Sequence, residues 1–279
     1  MWAKKDSPMK LTFHLPYRAK WGETLEVALH LILAQGRVRI EYIPMITSDG
    51  FNWSIDYSLM PSWHRSYAAL FYAYQLRGAD GLVERRECNP VPRAIALSQD
   101  CEYEFYDSWQ DWPLHWQCAC KDNGIQLSLR PDKITIVPVP LAHITVILNV
   151  RAYGLLPQEQ IAVLGDTPTM GRWQTNRYLP MDKVGDNCWM VSINADMISH
   201  FPFQYKYVIV NSDTQNMVYW EAGDNRISCS VTETTANKVI VLNDNAVRIK
   251  RLPIYKCKPQ SAAEEGYNEN AFLKLRHDP

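Results

Sequence analysis

The chain has no excess of charge of either sign. Its 29 Lys and Arg face 30 Asp and Glu, a formal net charge of −1 over 279 residues. Without a basic footprint, nucleic acid is not expected as a partner. No run approaches the about 18 apolar residues that a membrane-spanning helix needs, so no membrane is expected either. The opening MWAKKDSPMK has no apolar signal core, and Met9 offers a second start. The seven cysteines, at 88, 101, 118, 120, 188, 229 and 257, form no CxxC pair. Such an odd, scattered set fits reduced thiols in a cytoplasm and not a disulfide framework. Cys118 and Cys120 lack the second pair or His cluster that zinc requires, so neither metal nor cofactor is expected. P-loop, GxGxxG, HExxH and GxSxG segments are all missing, which removes the common nucleotide, zinc-protease and hydrolase classes.

Aromatic residues are what the chain has in quantity: ten Trp and fifteen Tyr within a 47% hydrophobic composition. That composition implies folded structure, and the length accommodates two domains. Helical periodicity is scarce; short alternating runs between Gly, Pro, Asn and Asp predict an all-β sandwich or barrel.

Two stretches are alike. KLTFHLPYRAKWGETLEVALHL and ITVILNVRAYGLLPQEQIAVLGD each read as strand, aromatic-Gly break, strand. Trp-led strands follow at Trp53 and Trp189, 136 apart, and Tyr-x-Tyr strands at Tyr72 and Tyr205, 133 apart. Glu84 and Glu221, 137 apart, occupy matching places after them. A period of this length indicates a duplicated domain. The expected division is a first β-sandwich at 9–98, an aromatic-rich linker at 99–140, a second sandwich at 141–245, and a linker or tail at 246–279. In the linker, Trp109, Trp112 and Trp116 could share one helical face, interrupted by Pro113, as a wedge between domains or a ligand platform.

One hairpin poses a functional question. In FPFQYKYVIV, Tyr205, Tyr207 and Ile209 alternate with Lys206, Val208 and Val210, and MVYWE returns after the turn residues NSDTQN. A hairpin centred on Asp213 would set Lys206 opposite Trp220 on the outward face, with Glu221 and Asn225 at the rim. A Trp plate can lie on the C–H face of a pyranose while Lys and Asn bond its hydroxyls. AVLGDTPTMGRWQ offers a second plate, Trp173.

Residues 143–245 resemble a family 20 carbohydrate-binding module, a starch-binding domain. The run AVLGDTPTMGRW, then CWMVSI, FQYKYVI and VYWEAGDNR, carries that resemblance in order. It implies an antiparallel, immunoglobulin-like β-sandwich that binds α-1,4-glucans through Trp173, Lys206, Trp220, Glu221 and Asn225, with Trp189 in the core. The family's second site relies on tyrosines where this chain has Pro157 and Asp182; Tyr153 and Tyr178 lie close by. The first copy has Ala73 and Val83 where the second has Lys206 and Trp220, and reads as scaffold. Its Trp21, Trp63 and His64 either pack or form a different site.

As a tandem, the two modules are similar to the N-terminal region of glycoside hydrolase family 77 glucanotransferases. Their catalytic (β/α)8 barrel, which needs about 250 residues, would begin near residue 250 and has no room here. The resemblance implies a non-catalytic glucan tether. Two other readings stay open: a truncated glucanotransferase, and a protein-interaction scaffold. Catalysis would need paired carboxylates such as Asp166 with Glu221, and nothing in the sequence singles out a pair.

Overall fold

A computed structural model of the chain describes residues 8–60, 67–87, 93–110, 141–231 and 235–249. Nine strands build the first half: β1 (Met9–Pro16), β2 (Thr24–Leu33), β3 (Val38–Pro44), β4 (Ile46–Thr47), β5 (Asn52–Leu59), β6 (Tyr67–Arg77), β7 (Val83–Arg86), β8 (Arg93–Ala96) and β9 (Cys101–Asp107). Nine more build the second: β10 (Ile144–Arg151), β11 (Glu159–Gly165), β12 (Leu179–Pro180), β13 (Asp182–Gly185), β14 (Cys188–Asn194), β15 (Gln204–Asn211), β16 (Met217–Trp220), β17 (Arg226–Ile227) and β18 (Asn237–Asn243). The all-β expectation holds.

Each strand of the first half has its counterpart nine places on. β2, β3, β6, β7 and β8 form one five-stranded sheet, and β11, β12, β15, β16 and β17 form another with the same pairings. The other strands join in a single eight-stranded sheet, ordered β13-β14-β10-β18-β9-β1-β5-β4. Most pairs are antiparallel, but β1–β9, β10–β18 and the β9–β18 seam are parallel.

Side-chain alternation divides that large sheet between two cores. At the seam, Tyr103 and Phe105 of β9 share the first core with Val239 and Val241 of β18, and Ile147 of β10 joins them. Ile240 and Leu242 of β18 point the other way into the second core, against which Tyr106 packs. Because neighbouring residues of a strand face opposite sides, the two five-stranded sheets cover opposite faces of the eight-stranded one.

Two of the expected boundaries are corrected by these contacts. Residues 101–107 are not linker but the strand that completes the first half and forms the seam. Residues 246–249 are not tail: Val247 is buried and Ile249 packs against the second core. Trp109 packs against the first core, its ring centroid 4.6 Å from that of Tyr17. Trp21, read as either packing or forming a different site, does not pack: it is fully exposed at 102%. Trp63, His64, Trp112, Trp116, Cys118 and Cys120 lie outside the described residues. Trp53 and Trp189 are both buried.

Each half also contains the same buried polar knot. In the second, the Tyr205 and Tyr207 hydroxyls donate to Asp244 at 2.7 and 2.6 Å, and Arg226 bridges Asp244 to Glu221 at 3.2 and 2.5 Å. In the first, Tyr72 and Tyr74 donate to Asp107, and Arg93 bridges Asp107 to Glu87 at 3.2 and 2.6 Å. The match extends to the backbone: Glu221 N–H donates to Tyr207 O at 3.0 Å, and Glu87 N–H to Tyr74 O at 3.0 Å. The counterpart of Glu221 is therefore Glu87, and the expected Glu84 is an exposed residue three places short of it.

Burial penalises each Asp: Asp107 and Asp244 are held above the usual carboxylate range despite their arginines. Tyr207 is raised far above its ordinary value by burial and by the Asp244 charge. Knots this dry tolerate no missing member.

Candidate functional site

The outward face of the second half's five-stranded sheet carries a small apolar patch. Along β15 the tyrosines point inward, which turns Lys206, Val208 and Val210 outward; Ala162 and Leu164 of β11 lie beside them. The two valines, Ala162 and Leu164 are fully buried, because Trp173, Tyr178, Met217 and Trp220 cover them.

Trp220 stands opposite Val208, with a register shift between Ile209 and Val210. The expected pairing of Trp220 with Lys206 is thus off by two residues. A two-residue slip preserves the face, so Lys206 and Trp220 still share the outward side. The turn responsible is held by Asn211, whose Oδ1 accepts from the N–H groups of Asp213 and Thr214, each at 2.9 Å.

Trp173 arrives from the other side, on the turn Pro168–Trp173. Buried Thr167 starts this turn and accepts the Met170 N–H. Gly171, Arg172 and Trp173 then all adopt positive φ, at 77°, 49° and 61°. Only glycine does so without cost, and here a Cβ on Gly171 would lie 2.1 Å from Arg177 O. Each of the other two positions costs on the order of 1–3 kcal/mol. A loop that accepts this strain holds Trp173 in one orientation.

The Trp173 and Trp220 ring centroids are 6.3 Å apart, with planes tilted by 37°. A sugar ring between two plates would need about 8 Å, two van der Waals contacts of about 4 Å. The pair is therefore one bent surface with two plates, suited to successive units of a curved chain. Both rings are partly exposed.

Lys206 lies two residues before Val208 on β15, and Asn225 bonds to Gln204 of the same strand. The Lys206 ammonium donates to Gly223 O at 2.6 Å and to Glu221 O at 3.4 Å, leaving one of its three donors. Asn225 is exposed and donates to Gln204 Oε1 at 2.9 Å.

Residues 143–240 match the family model described as starch binding domain. Over those residues the second half is similar to the starch-binding domain family. The curated 4-alpha-glucanotransferase DPE2 of Oryza sativa subsp. japonica is 26% identical over 299 residues, covering 99% of this chain and 30% of that protein. The chain thus spans about a third of the length of this curated relative. Among solved structures, the family 20 module of a maltotetraose-forming amylase from Pseudomonas saccharophila STB07 is 15% identical, with a TM-score of 0.27 over 34% of this chain and 98% of that one. A glucoamylase from Hypocrea jecorina is 19% identical, with a TM-score of 0.30 over 39% and 18%. Neither likeness carries an argument about mechanism.

Within the matched residues, two of the expected site residues stand elsewhere. Glu221 is not at the rim: it is 2% exposed, and its carboxylate accepts from Arg226, Arg248 and the Tyr207 N–H. Burial opposes its charge, but the arginine hydrogen bonds prevail and hold the carboxyl below its usual range. Tyr178 is not set apart as a second site either. Its ring packs on the patch that Trp173 and Trp220 cover, and its hydroxyl donates to Gln215 O at 2.9 Å. Tyr153 is exposed in the β10–β11 loop. The sequence reading missed Arg248, a residue that neither the hairpin pattern nor the family motif signals. Asp166, the candidate acid paired with Glu221, accepts the Gln204 N–H at 3.0 Å and faces His200 at 3.1 Å. Among the described residues no helix is long and apolar enough to cross a membrane.

Proposed function

We propose that the starch-binding domain holds α-1,4-glucans non-catalytically on the bent Trp173–Trp220 surface, with Lys206 and Asn225 bonding hydroxyls at its edge. The observation that carries this reading is the pairing of two half-exposed indoles with a spare ammonium donor, inside a module of this family. Glu221 serves from beneath, holding the loop in shape. Tyr178 supports the same surface, and Tyr153 is left for a separate contact.

The first half, with the same strand order and the same knot, is proposed to be a diverged copy that has lost the site. The kinship to a 4-alpha-glucanotransferase supports a tethering role, in which polymer is kept near a catalytic barrel and its effective concentration raised. A cytoplasmic setting agrees with the free thiols of Cys101, Cys188 and Cys229. The fully exposed Trp21 favours one further reading, a protein-binding surface on the first half.

Affinity electrophoresis in amylopectin gels tests the glucan reading. The intact chain is expected to be retarded, and Trp173→Ala and Trp220→Ala each to lose most of that retardation while still folding. An intact chain that runs freely would sink the proposal and move a protein partner to first place.

A further inference from the structure

The loop that carries Asn225 has few bonds of its own, yet it is held at both ends by one side chain from outside it. Arg248 lies beyond β18, 23 positions after Asn225. Its Nε donates to Glu221 Oε1 at 3.1 Å and its Nη2 to Asp224 O at 2.7 Å. Its backbone joins in: Arg248 N–H donates to the same Glu221 oxygen at 3.2 Å, and Arg248 O accepts the Ala222 N–H at 2.9 Å. Four bonds thus tie residues 221, 222 and 224 to one residue. Gly223 fits under the guanidinium with φ +80, where a Cβ would come within 2.9 Å of Arg248 Nη1.

We infer that Arg248 is a positioning residue for glucan binding, acting through the 221–225 loop and not by touching sugar. This inference rests on the glucan site proposed above. Two glucan contacts depend on the loop. Its carbonyls, at Glu221 and Gly223, orient the Lys206 ammonium, and its far end presents the Asn225 amide. Glu221 keeps a full charge partner in Arg226 without Arg248, so removing Arg248 loosens the loop while leaving the buried knot paired. Trp173, on a different loop and bonded to neither Glu221 nor Asp224, is expected to be indifferent. A planar guanidinium spans the Glu221 carboxylate and the Asp224 carbonyl together; an ammonium is a single point and reaches one of them.

The test is a mutant cycle on the full 279-residue chain, with maltoheptaose binding followed by titration calorimetry beside thermal melting. Arg248→Ala is expected to weaken binding about tenfold with a small change in melting, and Arg248→Lys to fall between it and the parent. In a Lys206→Ala, Asn225→Ala background, Arg248→Ala should cost much less than tenfold, because both groups the loop positions are already gone. In a Trp173→Ala background it should cost the full factor. Equal losses in both backgrounds would mean a general structural effect and overturn the inference, as would parental affinity in Arg248→Ala. If Arg248→Ala fails to fold, Arg248→Lys carries the same cycle. An intact chain that does not bind maltoheptaose would instead refute the glucan site, an outcome separable from either of these.

Discussion

The two halves agree beneath their outer sheets and differ on top of them. Aligning the knots makes Tyr72, Ala73 and Tyr74 the counterparts of Tyr205, Lys206 and Tyr207, and Arg86-Glu87 those of Trp220-Glu221. Arg86 pairs across its sheet with Gln75, as Trp220 pairs with Val208. Where the second half has an apolar patch under two indoles, the first has a polar mesh. Gln75 donates to Glu26 at 2.7 Å, Arg86 to Gln75 at 3.3 Å, and Arg77 meets Glu26 at 2.6 Å. The loop for a second plate is missing too. Only residues 34–37 connect β2 to β3, in a tight turn closed by Gly36, whereas residues 166–178 connect β11 to β12. The inward knots of the two halves are alike, and the outward faces are not.

The comparison is broken most severely at the knots. Glu221→Ala and Glu87→Ala each remove one of the two carboxylates that Arg226 or Arg93 bridges, at a cost of about 3–5 kcal/mol in urea denaturation. If the knots are equivalent, the two costs agree to within about 1 kcal/mol, and only Glu221→Ala also weakens glucan binding by the folded protein. Unequal costs would show that one knot is ornamental.

A smaller effect is expected at the seam. Glu104 of the first half meets Lys238 of the second and accepts from His14 and Tyr106. Burial raises its pKa, but those bonds outweigh burial and hold it at about 2 against an ordinary 4.5. The unfolded chain therefore binds a proton that the folded chain refuses, and stability is lost as pH falls from 4.5 toward 2. Glu104→Gln should remove about 1–2 kcal/mol of that loss, after screening at a partly exposed site, and flatten melting temperature against pH in this window. An unchanged slope would assign the acid loss to other groups.

The smallest effect is a near-absence. Grafting Ala73→Lys with Arg86→Trp onto the first half should raise maltoheptaose affinity by less than about twofold, since no loop brings a second indole. A tenfold gain would mean that one plate suffices and would remove the loop from the explanation.

Much of this was legible in the sequence, and the misreadings have physical causes. The Tyr-x-Tyr alternation assigned the faces of β15 correctly, and an even register slip left the face of Trp220 unchanged. VERRE offers two glutamates three apart, and only backbone pairing with Tyr74 distinguishes the buried Glu87 from the exposed Glu84. Glu221 reads as a rim residue because Arg226, five positions on, and Arg248, 27 positions on, enclose its carboxylate, and strand alternation signals neither. The seam left no sign at all: CEYEFYD and NKVIVLN are far apart, and nothing in either run announces that the two would lie side by side.

The opposed placement of the two five-stranded sheets limits what any restored first site could do. Its plates would look away from Trp173 and Trp220, across the thickness of the shared sheet. A single glucan strand would have to wrap the whole molecule to occupy both, so a doubly competent protein would staple separate strands together instead of grasping one strand twice. With only the proposed Trp173–Trp220 site in use, the chain would attach to a polymer without crosslinking it.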